Sequence, residues 1–176
     1  MASHISQFSA RRVQGALLAV MFFLLAMGDT HAQALRQAPG SRIAMELDNA
    51  FVASSQFTGF LDENSGASIV IDEMPAQAYD EVKKLADQPA ALANKGIINV
   101  RKALLDRPGE YVYLTGWQRI TSGGYAKFLL IMRENGVTAV ITANVPENAL
   151  QQQIITQEQI EHALLTATVR TEHPQT

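Results

Sequence analysis

The chain has 176 residues, 47% of them hydrophobic and 18% charged, and a formal net charge of −3. This length and apolar content suit one globular domain with a hydrophobic core. The absence of cysteine excludes disulfides, zinc–thiolate sites and a cysteine nucleophile. No basic cluster is present outside the N-terminal segment, so a nucleic-acid or anionic-membrane partner lacks an electrostatic basis.

The first 34 residues are typical of a secretory signal peptide. Arg11 and Arg12 precede an apolar run from Ala16 to Met27, and small residues suited to cleavage follow, so we expect a cut after Ala32 or Ala34. The run is shorter than the ~20 residues that a membrane span needs, which argues against a stable membrane anchor. The paired arginines hint at twin-arginine export, but the rest of that motif is missing and general secretion is expected. The predicted location is the periplasm, with the extracellular space as the alternative.

Residues 42–170 are predicted to form a single domain, and residues 171–176 a disordered tail. The hydrophobic patterns predict, in chain order, three strands, two helices, four strands and a final helix. The predicted strands are Arg42–Leu47, Thr58–Asp62, Ala67–Met74, Ile97–Leu105, Glu110–Thr121, Tyr125–Arg133 and Val137–Val145. The first helix begins at Pro75, the second spans Pro89–Asn94, and the last begins with the capping box Thr156-x-x-Gln159.

The four strands after the second helix are predicted to form an antiparallel meander. Their connections are short and carry turn residues: Arg107–Glu110 (RPGE), Ser122–Gly124 (SGG) and Asn135-Gly136. Connections this short join only antiparallel neighbours. Both faces of these strands are partly apolar, so a cover is expected on each side. The fold class that follows is α+β, a three-layer α/β/α sandwich with a central antiparallel sheet flanked by helices.

Two stretches carry a resemblance to a known family. The segments FTGFLDENSGASIVIDEMP, beginning at Phe57, and SGGYAKFLLIMRENGVTAVITANVPE, beginning at Ser122, resemble the PsbP-like α/β/α-sandwich family, including its bacterial periplasmic members such as DcrB. The resemblance spans about residues 42–170. It implies a non-enzymatic domain that binds other proteins or helps to assemble them. Its motifs are structural, and no binding residue of the family is carried over to this chain.

The segment around Asp62 also invites a comparison with a calcium loop. Asp62, Asn64 and Glu73 stand at the first, third and twelfth positions of a twelve-residue loop, but Gly66 and Ala67 occupy the fifth and sixth positions, where an EF-hand needs an oxygen ligand and a glycine. The residues before Glu73 are predicted as a strand, which would carry it about 20 Å from the turn. We therefore expect a hairpin, with a looser acidic site at Asp62, Glu63 and Asn64 as the alternative.

The sequence predicts no catalytic residue, no cofactor site and no metal site. His162 is expected on the polar side of the last helix, four residues after Glu158, and His173 lies in the predicted tail. No serine stands in a Gly-x-Ser-x-Gly motif. The pattern Ser122-Gly123-Gly124 lies between two strands, whereas a phosphate-binding loop would lead into a helix. The chain is therefore not expected to be an enzyme.

An aromatic stripe provides the candidate binding face. Alternation along one strand places four of its residues on one side, and the same parity in the next strand adds two more; the six residues are Tyr111, Tyr113, Trp117, Arg119, Tyr125 and Lys127. Aromatic residues beside a guanidinium form interface hot spots. The same residues also suit a core beneath a helix. Both alternatives stay open at this point.

The expected function is a protein-interaction or assembly module that binds another exported or envelope protein. The alternative is a protein that binds a small ligand or a divalent cation. The first predicts a shallow surface near Trp117 and Arg119. The second predicts a deep pocket, or acidic side chains that converge with Asp62 and Glu63.

Overall fold

The computed structural model describes residues 34–171. The predicted signal peptide, residues 1–34, and the predicted tail, residues 171–176, lie outside the described residues except for Ala34 and Thr171. Within the described range, no helix has the length and apolar character required to cross a membrane.

Between residues 34 and 171 the chain forms ten strands and four α-helices. The strands are β1 Leu35–Gln37, β2 Ile43–Glu46, β3 Val52–Ala53, β4 Gly59–Asp62, β5 Ala67–Pro75, β6 Ile97–Ala103, β7 Glu110–Ile120, β8 Gly123–Glu134, β9 Val137–Pro146 and β10 Thr168–Val169. The helices are α1 Tyr79–Ala86, α2 Pro89–Asn94, α3 Glu147–Gln151 and α4 Gln157–Leu165, and a 3₁₀ turn at Ala76–Ala78 precedes α1.

Seven of these strands form one antiparallel sheet in the order β3-β4-β5-β9-β8-β7-β6. The predicted meander is present as β6 to β9. Its β8–β9 turn contains Asn135 and Gly136 at φ of 46° and 77°, the left-handed conformations that this dipeptide tolerates. Strand β5 then pairs with β9 through eight residues, which makes β9 a central strand.

The other three strands form a small sheet in the order β1-β2-β10. Strand β1 lies ahead of the predicted domain start at residue 42, and it pairs with β2 in the register Leu35↔Glu46. The Arg36 side chain fixes this segment by donating hydrogen bonds to the carbonyl oxygens of Phe51 and Asp48, at 2.5 and 2.8 Å.

The large sheet has a hydrophobic core on each of its faces. On one face, Phe128, Leu130, Met132 and Ile141 belong to a buried cluster with residues of β2, α4 and β10. On the other face, Val112, Leu114 and Ile131 pack with Tyr79 and Ala86 of α1 and Leu92 of α2. We call the first the groove face, because a surface groove described below opens on it, and the second the helix face, because α1 and α2 cover it.

The predicted α+β class with an antiparallel sheet is confirmed. The finer three-layer α/β/α arrangement stays a prediction, because the groove face is covered by α4 together with the small sheet rather than by helices alone.

Candidate binding groove and the two faces of the sheet

The register of β7 and β8 divides the six residues of the aromatic stripe between the two faces. Trp117 pairs with Ala126 and Arg119 with Gly124, whereas Tyr125 pairs with Gln118 and Lys127 with Gly116. Residues paired directly across an antiparallel sheet share a face. Tyr125 and Lys127 therefore lie on the helix face, opposite to Trp117, and the expectation of one shared face is corrected.

The length of the β7–β8 turn is the physical reason for this correction. The sequence pattern predicted a three-residue loop, Ser122–Gly124, but Ile120 pairs directly with Gly123 and only Thr121 and Ser122 lie between the strands. Side chains alternate with a period of two, so one residue more or less in the turn moves a whole strand to the opposite face. The predicted three-residue turn placed Tyr125 and Lys127 on the face of Trp117, and the two-residue turn places both of them on the opposite face.

Tyr111 and Tyr113 lie on the groove face but belong to the interior. Tyr113 is 1% exposed, and its hydroxyl donates to Oε1 of Glu161 at 2.9 Å. The Tyr111 hydroxyl donates to the carbonyl oxygen of Leu105 at 2.5 Å and accepts from the Leu105 amide at 3.2 Å. Tyr111 and Tyr113 therefore belong to the core, which was one of the two alternatives for the aromatic stripe. Each phenol hydroxyl is hydrogen-bonded at the edge of the packed region.

Trp117 and Arg119 lie beyond that core, at the exposed end of β7. Trp117 is 38% exposed, and its directly paired neighbour on β6, Ile98, is 43% exposed. An open groove of about 590 Å³ runs beside Trp117, with Phe128 at its buried base and Leu150 and Gln157 on the side of α3 and α4. Large apolar side chains next to a concave surface are a common feature of binding sites.

The groove ends at the edge of the sheet. Strand β6 is the last strand in the order, so its outer backbone groups have no strand partner within residues 34–171. A bulge separates Ile98 from Arg101, with Asn99 at φ 53°. Edge strands protected by bulges and charges resist uncontrolled pairing, but they also accept an added strand from a partner.

Two arginines give this region a local positive charge. Arg101 pairs with Thr115 across β6 and β7 and lines the groove, and Arg119 lies two residues after Trp117. Both side chains are exposed, and neither has a carboxylate within ion-pair distance among the described residues. Such guanidinium groups are free to bind a carboxylate of another molecule.

Sequence reasoning named only Trp117 and Lys127 among the residues that line the groove. Arg101, Leu150 and Gln157 are among those it missed. The bulge at Asn99 hides the parity of β6, because the face of each residue after a bulge shifts relative to the residues before it. Leu150 and Gln157 come from a separate part of the chain, and no local pattern connects them to Trp117.

The acidic residues of the β4–β5 hairpin belong to two separate networks. Asp62 is 4% exposed and accepts from the Asn64 amide at 2.9 Å and from the Ser65 hydroxyl at 2.5 Å. Glu73, near the far end of β5, accepts from the Ser41 hydroxyl and the Arg42 amide at 2.5 Å each. The structure places Asp62 at the turn end of β4 and Glu73 near the far end of β5, as expected for a hairpin. Residues 34–171 contain no group of three or more His, Cys, Asp or Glu that could hold a metal ion.

His162 has a different partner from the one expected. Its Nε2 lies 2.9 Å from Oε2 of Glu46 on β2, and among the described residues it has no hydrogen bond or ion pair with Glu158 of its own helix. The prediction from helical spacing was wrong because α4 packs against β2, which brings a carboxylate within reach from outside the helix. His173 lies outside the described residues.

Lys127 lies on the helix face by its register and also lines the groove. Its ammonium group donates to Oδ1 of Asn144, and Asn144 Nδ2 donates to the Ser68 hydroxyl at 3.0 Å. Burial lowers the pKa of Lys127. The side chain borders a small apolar pocket of 60 Å³ between the sheet and α2.

Comparison with known proteins gives two distant structural likenesses. LpqN, involved in cell envelope biogenesis of Mycobacterium tuberculosis, is 16% identical with a TM-score of 0.47, over 75% of this chain and 86% of LpqN. Cyanobacterial PsbP (CyanoP) from Synechocystis sp. PCC 6803 is 14% identical with a TM-score of 0.43, over 81% of this chain and 96% of that protein. No family model and no curated protein matches this chain. At these values the function of either protein does not transfer to this chain, and the resemblance to DcrB-type members is not confirmed.

Proposed function

We propose that this chain is an exported, non-enzymatic protein-interaction module of the periplasm or cell envelope, with the three-layer arrangement of the PsbP-like family. Its binding site is the groove beside Trp117. The observation that carries the proposal is the juxtaposition of exposed Trp117 and Ile98 with an open groove of about 590 Å³ at a sheet edge. Tryptophan and arginine are the residues most enriched at interface hot spots.

The occupant that fits this site is an extended segment of another exported or envelope protein. The unpaired outer edge of β6 offers backbone hydrogen bonds to a strand, and the groove accepts apolar side chains from one face of that strand. Arg101 and Arg119 favour a segment that also carries a carboxylate. Because the chain as a whole has a net charge of −3, this attraction is local and depends on the two guanidinium groups.

Site-specific photo-cross-linking in the producing cell tests this proposal. A photoreactive amino acid is placed at Trp117 or Ile98 in the full chain, and at Ile154 as a matched control that is also 43% exposed but lies elsewhere. We expect a discrete cross-linked envelope protein from the first two positions and not from the control. The double substitution Arg101→Glu and Arg119→Glu should remove the product, because the partner's carboxylate would then be repelled.

A binding measurement with the captured partner completes the test. Truncation of a hot-spot tryptophan costs 2 kcal/mol or more, so Trp117→Ala should weaken binding by about thirtyfold. Equal cross-linking from all three positions, or unchanged affinity of Trp117→Ala, would show that the groove is not the binding site.

Export is tested separately by N-terminal sequencing of the protein recovered from the periplasmic fraction. Cleavage after Ala32 or Ala34 gives a mature chain that begins at Gln33 or Leu35. Either cut leaves β1 complete, since that strand begins at Leu35. Recovery of an uncleaved chain in the cytoplasm would contradict export.

A further inference from the structure

The small pocket on the helix face is almost entirely apolar. It is lined mainly by Leu92, Ile97, Val100, Leu114, Leu129 and Thr142. Its volume of 60 Å³ corresponds to about two water molecules at ~30 Å³ each. Cavities with aliphatic walls of this kind hold hydrocarbon in preference to water.

Gly116 is the residue that allows β6 to close over this part of the sheet. A Cβ at Gly116 would lie 2.9 Å from Cγ2 of Ile97 and 3.5 Å from Cγ2 of Val100. Both side chains therefore approach the β7 backbone closely and form one wall of the pocket. Leu92 of α2 forms the opposite part of the cover, and it is 5% exposed.

Lys127 places a positive charge at the border of this apolar space. It is half-buried, and no carboxylate lies within ion-pair distance of its ammonium group among residues 34–171. Asn144 accepts one of its N–H groups, and Ser68 holds Asn144 in place. An ammonium group has three donors, so two remain for another acceptor.

We propose that this pocket binds a short-chain monocarboxylate, with the alkyl chain between Leu92 and Leu129 and the carboxylate on Lys127 Nζ. The two halves of such a ligand match the two halves of the site, an aliphatic space and an adjacent ammonium group. The lowered pKa of Lys127 indicates that its charge is poorly solvated in the free protein. A bound carboxylate would supply the missing counter-charge and would strengthen the hydrogen bond.

The pocket volume sets the expected chain length. A space of 60 Å³ holds about two methylene or methyl groups beyond the carboxylate carbon. Propionate, with two such groups, should therefore fit within the pocket, and butyrate, with three, should extend one group toward its open side, whereas octanoate would require Leu92 to move. The pocket shares four lining residues with the groove beside Trp117, which are Val100, Thr115, Gly116 and Lys127. Leu92 lines only the pocket and Trp117 lines only the groove, so substitutions at these two positions separate the two proposals.

The test is a titration of the full chain with sodium butyrate, followed by methyl NMR. We expect saturable shifts of the Leu92, Leu114 and Leu129 methyl groups, while those of Leu35 and Leu104, away from the pocket, stay fixed. Lys127→Met keeps the aliphatic stem and removes the charge. It should weaken butyrate binding by at least about tenfold, since a hydrogen bond between charged groups contributes more than a neutral one.

Two controls separate a specific site from adventitious binding. Lys84→Met removes the same charge from an exposed position on α1 and should leave the butyrate affinity unchanged. Butyramide, the neutral analogue, should bind the unmodified protein at least about tenfold more weakly than butyrate, which tests the charge without any substitution. Absence of pocket shifts with butyrate, or equal binding of butyrate and butyramide, would overturn the proposal. The Trp117→Ala variant should bind butyrate normally.

Discussion

The hydroxyl of Tyr113 donates a hydrogen bond to Oε1 of Glu161 across 2.9 Å, joining β7 to α4. The same carboxylate oxygen accepts from Nε2 of Gln157 at 3.0 Å. Burial raises the pKa of Tyr113, and the hydrogen bond and charge of Glu161 raise it further. The fold therefore keeps the Tyr113 phenol neutral. As a result, the free energy of unfolding should fall when the pH rises into the alkaline range.

Substitution of Tyr113 by phenylalanine should remove that dependence. A tyrosine in the unfolded chain ionises near pH ~10, whereas folded Tyr113 keeps its proton at higher pH. Its contribution is complete below pH ~10 and is lost as the pH rises from there toward the folded pKa, at about 1.4 kcal/mol per pH unit. We expect Tyr113→Phe to be about 1 kcal/mol less stable at pH 7 and to lose less stability above pH ~10.

Urea unfolding of both proteins between pH 7 and pH 11 measures this difference. Tyr125→Phe, on the helix face of the neighbouring strand, is a control for the loss at neutral pH, because its hydroxyl makes no hydrogen bond within residues 34–171. If the wild-type and Tyr113→Phe curves stayed parallel above pH ~10, the phenol would not be the titrating group.

Arg107 should be the most sensitive arginine of the domain. Its side chain is 6% exposed, and it donates to the carbonyl oxygens of Leu164 at 2.9 Å and Ala167 at 3.1 Å. Leu164 lies in the last turn of α4 and Ala167 follows the helix, where carbonyl oxygens lack the regular helical amide partner four residues on. We expect Arg107→Met to lower the free energy of unfolding by about 3 kcal/mol, and Arg107→Lys to recover only part of it, since one ammonium does not reproduce the two-pronged geometry.

Denaturant titration of these variants is compared with that of Arg119→Met. Arg119 is exposed and unpaired among the described residues, so its loss should change stability by no more than about 0.5 kcal/mol. If Arg107→Met and Arg119→Met lowered the free energy of unfolding by similar amounts, the two hydrogen bonds from Arg107 to carbonyl oxygens would contribute little to stability.

Gly59 should tolerate no side chain. It has φ of +141°, and an added Cβ would overlap the carbonyl oxygen of Ile69 and lie 3.0 Å from its carbonyl carbon. Gly109 provides a matched control, because its φ of +91° is also unfavourable but nothing lies within 4 Å of an added Cβ. We expect Gly59→Ala to cost more than about 3 kcal/mol and Gly109→Ala about 1 kcal/mol. Equal shifts in thermal midpoint would show that backbone conformation alone, not the close contact with β5, determines the cost.

Short sequence motifs predicted the central part of the fold, because each of them determines the backbone conformation of only a few neighbouring residues. Asn135-Gly136 adopts the left-handed pair that closes a two-residue hairpin. The Thr156 side chain accepts from the Gln159 amide, and Gln159 reciprocates, so the predicted capping box is present. These signals established the meander and the start of the last helix without any tertiary information.

The features that sequence reasoning missed depend on distant pairing or on a single residue of register. Strand β10 has only two residues, and it forms because Thr168 pairs with Ala44, far away in the chain. The observed β7–β8 turn, Thr121-Ser122, contains no glycine, and the two glycines that indicated a turn, Gly123 and Gly124, lie at the start of β8. The sequence therefore did not reveal the length of the turn. That one-residue difference decides whether Lys127 lies beside Trp117 or on the opposite face.

The hairpin carboxylate of Asp62 should stabilise the fold in the same way with or without a divalent cation. Asp62 accepts hydrogen bonds from the Asn64 amide and the Ser65 hydroxyl, so its carboxylate already has partners within the turn without a cation. We expect Asp62→Ala to lower the free energy of unfolding by about 2 kcal/mol, equally in calcium and in a chelator. Glu63→Ala, at the exposed neighbouring position, should change it by less than about 0.5 kcal/mol. Calorimetry in both buffers decides the matter: if calcium raised the thermal midpoint of the wild-type protein and not that of Asp62→Ala, the turn would be a cation site after all.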